Sequence, residues 1–136
     1  MAKISITIDW SELDLYGHVN NVAYYKYMQA ARICYCDSIG LTAINETGKL
    51  SFILAASNCH YKQKLFYPGT IEILSSVSQI GNSSFHLDHC IYNHKGELVA
   101  QGKDVLVIYD YDKNHKVQID EILKNTLNQS LSRQYK

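Results

Sequence analysis

No stretch of this chain approaches the roughly 18 consecutive apolar residues that a membrane-spanning helix needs. Its opening, "MAKISITIDW", alternates polar and apolar side chains and has none of the apolar core of a secretory leader. These two absences set the expectation of a cytoplasmic protein. Charge of one sign is also missing, since 13 Lys and Arg stand against 13 Asp and Glu. That balance argues against a general nucleic-acid binder, although a local basic patch can still hold a phosphate. A net charge near zero also does little to keep copies of the chain apart. The cysteines Cys34, Cys36, Cys59 and Cys90 contain no C-x-x-C pair and no zinc-like spacing. In a reducing compartment they read as buried thiols packing as small apolar groups. Internal repeats, linkers and low-complexity segments are absent too.

What remains is a chain of 136 residues, enough for one domain, 1–136, with a real core. Strict alternation predicts a strand over Lys3–Asp9, with Ile4, Ile6 and Ile8 on one side. A helix is predicted from Asn21 to Ile39, closed by Gly40 at C′. On it Lys26, Gln29, Arg32 and Asp37 fall within one arc, so a narrow polar stripe faces water and the rest is buried, wrapped by a sheet. "SFILAASNCHYKQKLF" reads as one long strand or two short ones, ended by the "YPGT" turn. "TIEILSSVSQI", "SFHLDHCIY" and "ELVAQGKDVLVIY" follow as strands separated by "GNSS" and "NHKG", an antiparallel meander. A last amphipathic helix carries Ile119, Ile122, Leu123, Leu127 and Leu131. The fold class is α+β, an antiparallel sheet around a central helix.

One stretch does not fit a purely structural reading. "DLYGHVNN" gathers a carboxylate, a glycine, a histidine and two asparagines just before the aromatic run "VAYYKYMQAARICYC". With its flanks, this segment from Asp9 to Leu41 resembles the 4-hydroxybenzoyl-CoA thioesterase family of hotdog-fold acyl-CoA thioesterases. The family motif is an acid, then Asp-x-x-Gly-His-Val-Asn-Asn, then a helix with aromatics and an Ala–Arg pair. Here it is carried by Glu12, Asp14, Gly17, His18, Val19, Asn20 and Asn21, then Tyr24, Tyr25, Ala31 and Arg32. Glu12 stands where aspartate is more usual. The resemblance continues through the Pro–Gly turn and the closing strands, over about residues 3 to 112. It implies a hotdog fold, a curved antiparallel β-sheet wrapped around a long central helix, here with an extra C-terminal helix.

Thioester hydrolysis needs an activated water or nucleophile, and a donor for the oxyanion that forms on the carbonyl. A carboxylate supplies the first. Unpaired backbone N–H groups at a helix start supply the second. The resemblance makes Asp14 the catalytic carboxylate and the main-chain N–H of Asn21 the oxyanion donor. His18 is a second candidate base, and Gly17 permits the tight turn between them. Asn20, Tyr24 and Tyr25 are candidates for lining the substrate site, and Lys62 and Lys64 for meeting a coenzyme A phosphate. Plainer readings stand beside these. Asp14 and the asparagines can be turn and helix caps, the tyrosines core aromatics, and the lysines a solvated strand edge.

The expected function is hydrolysis of an acyl-CoA thioester to free acid and coenzyme A, with no metal and no bound cofactor. Two alternatives remain open: a hotdog hydratase or dehydratase acting on acyl thioesters, and a non-catalytic acyl-thioester binding protein. Acyl carrier protein is the other carrier that such a site can serve. No nucleic acid or membrane partner is expected. A small sheet around one helix leaves an edge and an apolar face to cover, which predicts a homodimer or homotetramer with sites between subunits.

Overall fold

The computed structural model describes residues 2–42 and 50–131. In chain order the elements are β1 (Ala2–Thr7), α1 (Asn21–Ser38), β2 (Ser51–Tyr61), β3 (Thr70–Ile80), β4 (Ser84–Tyr92), β5 (Leu98–Asp110), β6 (His115–Lys116) and α2 (Glu121–Gln129). The strands form one antiparallel sheet in the order β1-β3-β4-β5-β2, with β6 beside the end of β5. It is therefore not a simple meander. Only β3, β4 and β5 follow one another, while β2 crosses to the far edge beside β5. One face of the sheet packs on α1, the hotdog arrangement.

Side-chain alternation decides which face is buried. Ile71, Ile73, Ser75 and Val77 of β3 and Phe85, Leu87, His89 and Ile91 of β4 point to the helix side. Their neighbours point outward. β1 stops at Thr7 rather than Asp9, because Asp9 starts a 3₁₀ turn over Trp10–Glu12: its carboxylate accepts from Ser11 N–H at 3.2 Å, and its own N–H donates to Glu12 Oε1 at 2.9 Å. α1 starts at the Asn20 cap, whose side chain accepts from Val22 N–H. It ends in a Schellman motif, with Gly40 at φ +80° and Leu41 N–H bonded to Cys36 O.

Two expectations about the helices are corrected. Arg32 is not on a solvated stripe but is buried, and the outer face of α1 instead exposes Val22, Tyr25, Ile33 and Cys34. In α2 the buried positions are Leu127 and, more partly, Leu123, while Ile122 is exposed and Ile119 is buried ahead of the helix. The cysteines likewise divide: Cys36 is fully buried, its thiol pushed up to about 12 by burial, Cys34 is exposed, and Cys59 and Cys90 are intermediate.

A polar band cuts the core in two. Ser75, His89 and Asp104 lie on three adjacent strands, and Ser57 pairs with Asp104 on a fourth. His89 is bonded to Ser75 Oγ through Nδ1 and to Asp104 Oδ2 through Nε2, each at 2.7 Å. Arg32 donates to the same Oδ2 at 3.0 Å, and Ser57 Oγ to Oδ1 at 2.7 Å. An ionised carboxylate only accepts, so Nε2 carries a His89 proton. On one side lies an apolar cluster with Tyr24, Met28, Ile71, Ile73 and Ile91; on the other lies one with Tyr35, Phe85, Leu106 and Leu127. Beside the band, α1 comes so close to β5 that a Cβ on Gly102 would lie 2.4 Å from Met28 Cε.

Burial raises the Asp104 pKa, but the hydrogen bonds from His89 and Ser57 and the Arg32 charge hold it below its ordinary 3.8. A carboxylate depressed in this way stabilises the fold above its unfolded pKa, and that support drains away as pH falls through the folded value. Asp104→Ala leaves the Arg32 charge and the His89 N–H unpaired and should cost about 3–5 kcal/mol, whereas Ser75→Ala should cost about 1 kcal/mol. Urea unfolding followed by circular dichroism reads both. The gap between Asp104→Ala and wild type should narrow as the pH is lowered below the ordinary carboxylate range.

Candidate active site

The site is built where the chain runs from β1 into α1. Leu13 and Val19 form an antiparallel bridge, inside which Asp14 N–H donates to His18 O at 2.7 Å and Gly17 N–H to Asp14 O at 3.2 Å. Closing so short a loop takes a left-handed residue, and Gly17 provides it at φ +78°. The loop is stitched to the chain beyond β2 by Val19 N–H to Leu65 O at 2.9 Å, a His18–Phe66 bridge, and the edge-on packing of those two rings.

Glu12 ties the same loop to the helix. Oε1 accepts from Tyr27 Oη at 2.8 Å and Oε2 from Lys26 Nζ at 2.9 Å, while its backbone carbonyl accepts from Asn20 N–H at 2.7 Å. Burial raises the Glu12 pKa, and these bonds with that from Asp9 N–H bring it below its ordinary value. Glutamate at this position thus spans from the 3₁₀ turn to the second turn of α1.

Asp14 uses its two oxygens unequally. Oδ1 accepts from Tyr16 N–H at 2.8 Å and His18 N–H at 3.0 Å, which is a turn cap. Oδ2 has no hydrogen-bond partner among the described residues. Desolvation raises the Asp14 pKa, and the two N–H bonds with the nearby His18 ring outweigh it, so the carboxyl stays ionised below its ordinary 3.8. At the helix start, Asn20 Oδ1 takes Val22 N–H and Asn20 O takes Ala23 N–H. The Asn21 N–H is left unpaired among the described residues, at the positive end of the helix dipole.

Asp14, His18, Asn21 and Tyr24 line one cleft of about 370 Å³, with Lys62 and Lys64 at its wall. Three predicted residues are not part of the lining. Gly17 and Asn20 shape the backbone instead, and Tyr25 stands 40% exposed on the outer face of α1. Lys62 and Lys64 do not alternate along a strand as expected. β2 ends at Tyr61, and the N–H groups of Lys62 and Gln63 both donate to Val99 O, at 2.7 and 3.1 Å, which breaks the ladder.

Sequence reasoning missed Tyr61 and Gln63, which also line the cleft with Val19 of the motif. Tyr61 packs edge-on to Tyr24 at 4.9 Å between ring centroids, and its hydroxyl lies 3.5 Å from Asn21 O. Period-2 counting from Ser57 through Cys59 places it on the helix side of β2, a signal that was present in the sequence. Burial pushes the Tyr24 phenol up to about 12, so it is a neutral hydroxyl at physiological pH. Among the described residues no three His, Cys, Asp or Glu side chains are grouped to hold a metal ion.

Residues 8–127 match the model of the thioesterase-like superfamily. Two relatives align over most of their length. YsmA of Bacillus subtilis, an uncharacterised protein, is 26% identical over 122 residues, covering 90% of this chain and 82% of its own. FadM of Escherichia coli, a long-chain acyl-CoA thioesterase, is 22% identical over 128 residues, covering 93% and 97%. Among solved structures, a predicted thioesterase from Bacillus stearothermophilus superposes with a TM-score of 0.86 at 20% identity, covering 98% of each chain. The family match takes in the loop, α1 and the sheet, and this protein belongs to the thioesterase-like superfamily.

Proposed function

We propose that this protein hydrolyses acyl-CoA thioesters, and that within its superfamily it is of the 4-hydroxybenzoyl-CoA thioesterase kind whose motif it resembles. The observation that carries the reading is the pairing, in one cleft, of an unoccupied carboxylate oxygen, Asp14 Oδ2, with an unpaired helix-start donor, Asn21 N–H. The FadM relative lends the substrate class. A thioester carbonyl placed between the two groups meets a base or nucleophile at carbon and a donor at oxygen. Asp14 either takes the proton of an attacking water or attacks the carbonyl itself, giving an anhydride that water then opens. In both routes the C–S bond breaks and coenzyme A leaves as the thiolate.

In this reading His18 positions the loop, through its backbone and its contact with Phe66, and Tyr24 and Tyr61 form the aromatic wall beside the thioester. Lys62 and Lys64 face the carrier. No described helix is long and apolar enough to cross a membrane, and the reaction is assigned to the cytoplasm. The site is completed by a second copy of the chain. β2 pairs only with β5 among the described residues, and exposes Ile53, Leu54 and Tyr61, while α1 exposes Val22, Tyr25 and Ile33. An unpaired edge flanked by apolar side chains is the surface that a two-fold pairing covers.

Three outcomes follow. Asp14→Asn should still fold and bind acyl-CoA, with kcat lower by at least about a hundredfold, as stopped assays trapping the released thiol will read; near-normal turnover would reduce Asp14 to a turn cap. Because the Asp14 carboxyl is held below its ordinary value, wild-type kcat should show no acid limb from neutrality down to about pH 5. An acid limb inside that range that vanishes in His18→Ala would move the base role to His18. Sedimentation velocity at micromolar concentration should find dimers or larger, and an active monomer would refute the shared site.

A further inference from the structure

The cations of this protein fall into two sets. Lys3, Lys26, Arg32 and Lys103 each face a carboxylate within 4 Å: Glu72, Glu12, Asp104 and Asp88. Lys62, Lys64 and Lys95 have no such partner among the described residues, and they gather at one end of the sheet. Lys62 and Lys64 follow β2, and Lys95 stands at the tip of the β4–β5 hairpin. The other lysines without such a partner among the described residues, Lys113, Lys116 and Lys124, lie beyond β5 and in α2.

Lys64 and Gln63 line the Asp14 cleft and also a second cavity of about 250 Å³ on the other side of the same strip of chain. The far wall of that cavity is the β4–β5 hairpin with His94 and Lys95. The hairpin is firmly set. Asn93 Oδ1 accepts from Lys95 N–H at 2.9 Å and Glu97 N–H at 3.0 Å, and Gly96 takes φ +78° to close the turn. Glu97 is the carboxylate in this wall, and its Oε1 is engaged by Asn93 Nδ2 at 3.0 Å rather than by a lysine. His94 lies over Gly69, where a Cβ would sit 3.8 Å from Nδ1. Two cavities joined by a shared wall therefore run from an anionic catalytic end at Asp14 to an end bearing cations with no internal partner.

We propose that this second cavity, through Lys64, His94 and Lys95, holds the phosphates of the nucleotide part of coenzyme A, while the pantetheine arm crosses Gln63 toward Asp14. The assignment rests on the acyl-CoA reading above and adds the place where the carrier is recognised. A polyanion of this kind needs several donors not already committed to carboxylates, and lysines at a solvated rim supply point charges without a large desolvation cost. The same polyanion is kept out of the first cleft by the Asp14 carboxylate, which separates the two ends of the substrate.

The test compares one acyl group on two carriers, coenzyme A and N-acetylcysteamine, the second having no phosphate. In the double variant His94→Ala/Lys95→Glu, whose two positions line the second cavity and not the Asp14 cleft, kcat/KM for the CoA thioester should fall at least about tenfold, mostly in KM and with a weaker salt dependence. The N-acetylcysteamine thioester should respond by less than about twofold. An equal response of the two thioesters, or none, overturns the phosphate site while leaving the thioesterase reading intact. If wild type cleaves neither thioester, that reading fails instead, and calorimetric titration with adenosine 3′,5′-bisphosphate decides the site alone. Binding by wild type and its loss in the double variant supports the site; no binding by wild type overturns it.

Discussion

A carboxylate with no access to water sits at the centre of this molecule, and the register of four strands and the height of α1 follow from how it is satisfied. Asp104 collects Arg32 from α1, His89 from β4 and Ser57 from β2, and His89 passes the chain on to Ser75 of β3. Apolar packing alone tolerates sliding, since a strand shifted by two residues still presents the same face. The band does not tolerate it, because a two-residue shift of any strand parts Ser75 from His89 or Asp104 from Ser57. Buried ionic groups add little net stability. Here their geometry fixes the register of four strands and the height of the helix against them. The height of α1 in turn sets where its first N–H groups stand relative to the Asp14 loop.

Much of this was legible residue by residue. Period-2 alternation located β3, β4 and β5, and the Asn20 and Gly40 signals located both ends of α1, because these are local effects of backbone geometry. Arg32 was misread for the opposite reason. On a helical wheel it belongs with Lys26 and Gln29, and only a partner 72 residues away in sequence makes its burial affordable. β2 was placed in a meander because its own residues say nothing about which neighbour it pairs with. The break after Tyr61 was hidden as well, since it depends on one carbonyl, Val99 O, accepting two N–H groups. Within the site, the motif marked Asp14, His18 and Asn21, which do line one cleft. That one Asp14 oxygen caps the turn while the other has no partner among the described residues was not legible, because both arrangements call for the same residue.

The loop and helix start behave as one mechanical piece. Glu12 reaches Lys26, Tyr27 and Asn20, and Val19 reaches Leu65, so the base of the cleft cannot move without dragging the first turns of α1. Stitching of this sort keeps the Asp14 carboxylate and the Asn21 N–H at a constant separation.

The two N–H groups that claim Asp14 Oδ1 have one further consequence. They are donors, so whatever side chain occupies that position must offer them an oxygen. An asparagine there has no choice of amide orientation: its carbonyl is drawn to the Tyr16 and His18 N–H groups, and its NH₂ is turned into the cleft where Oδ2 stood. The polarity of that point reverses from acceptor to donor. A point in the cleft that repels an anionic group then offers it a hydrogen bond.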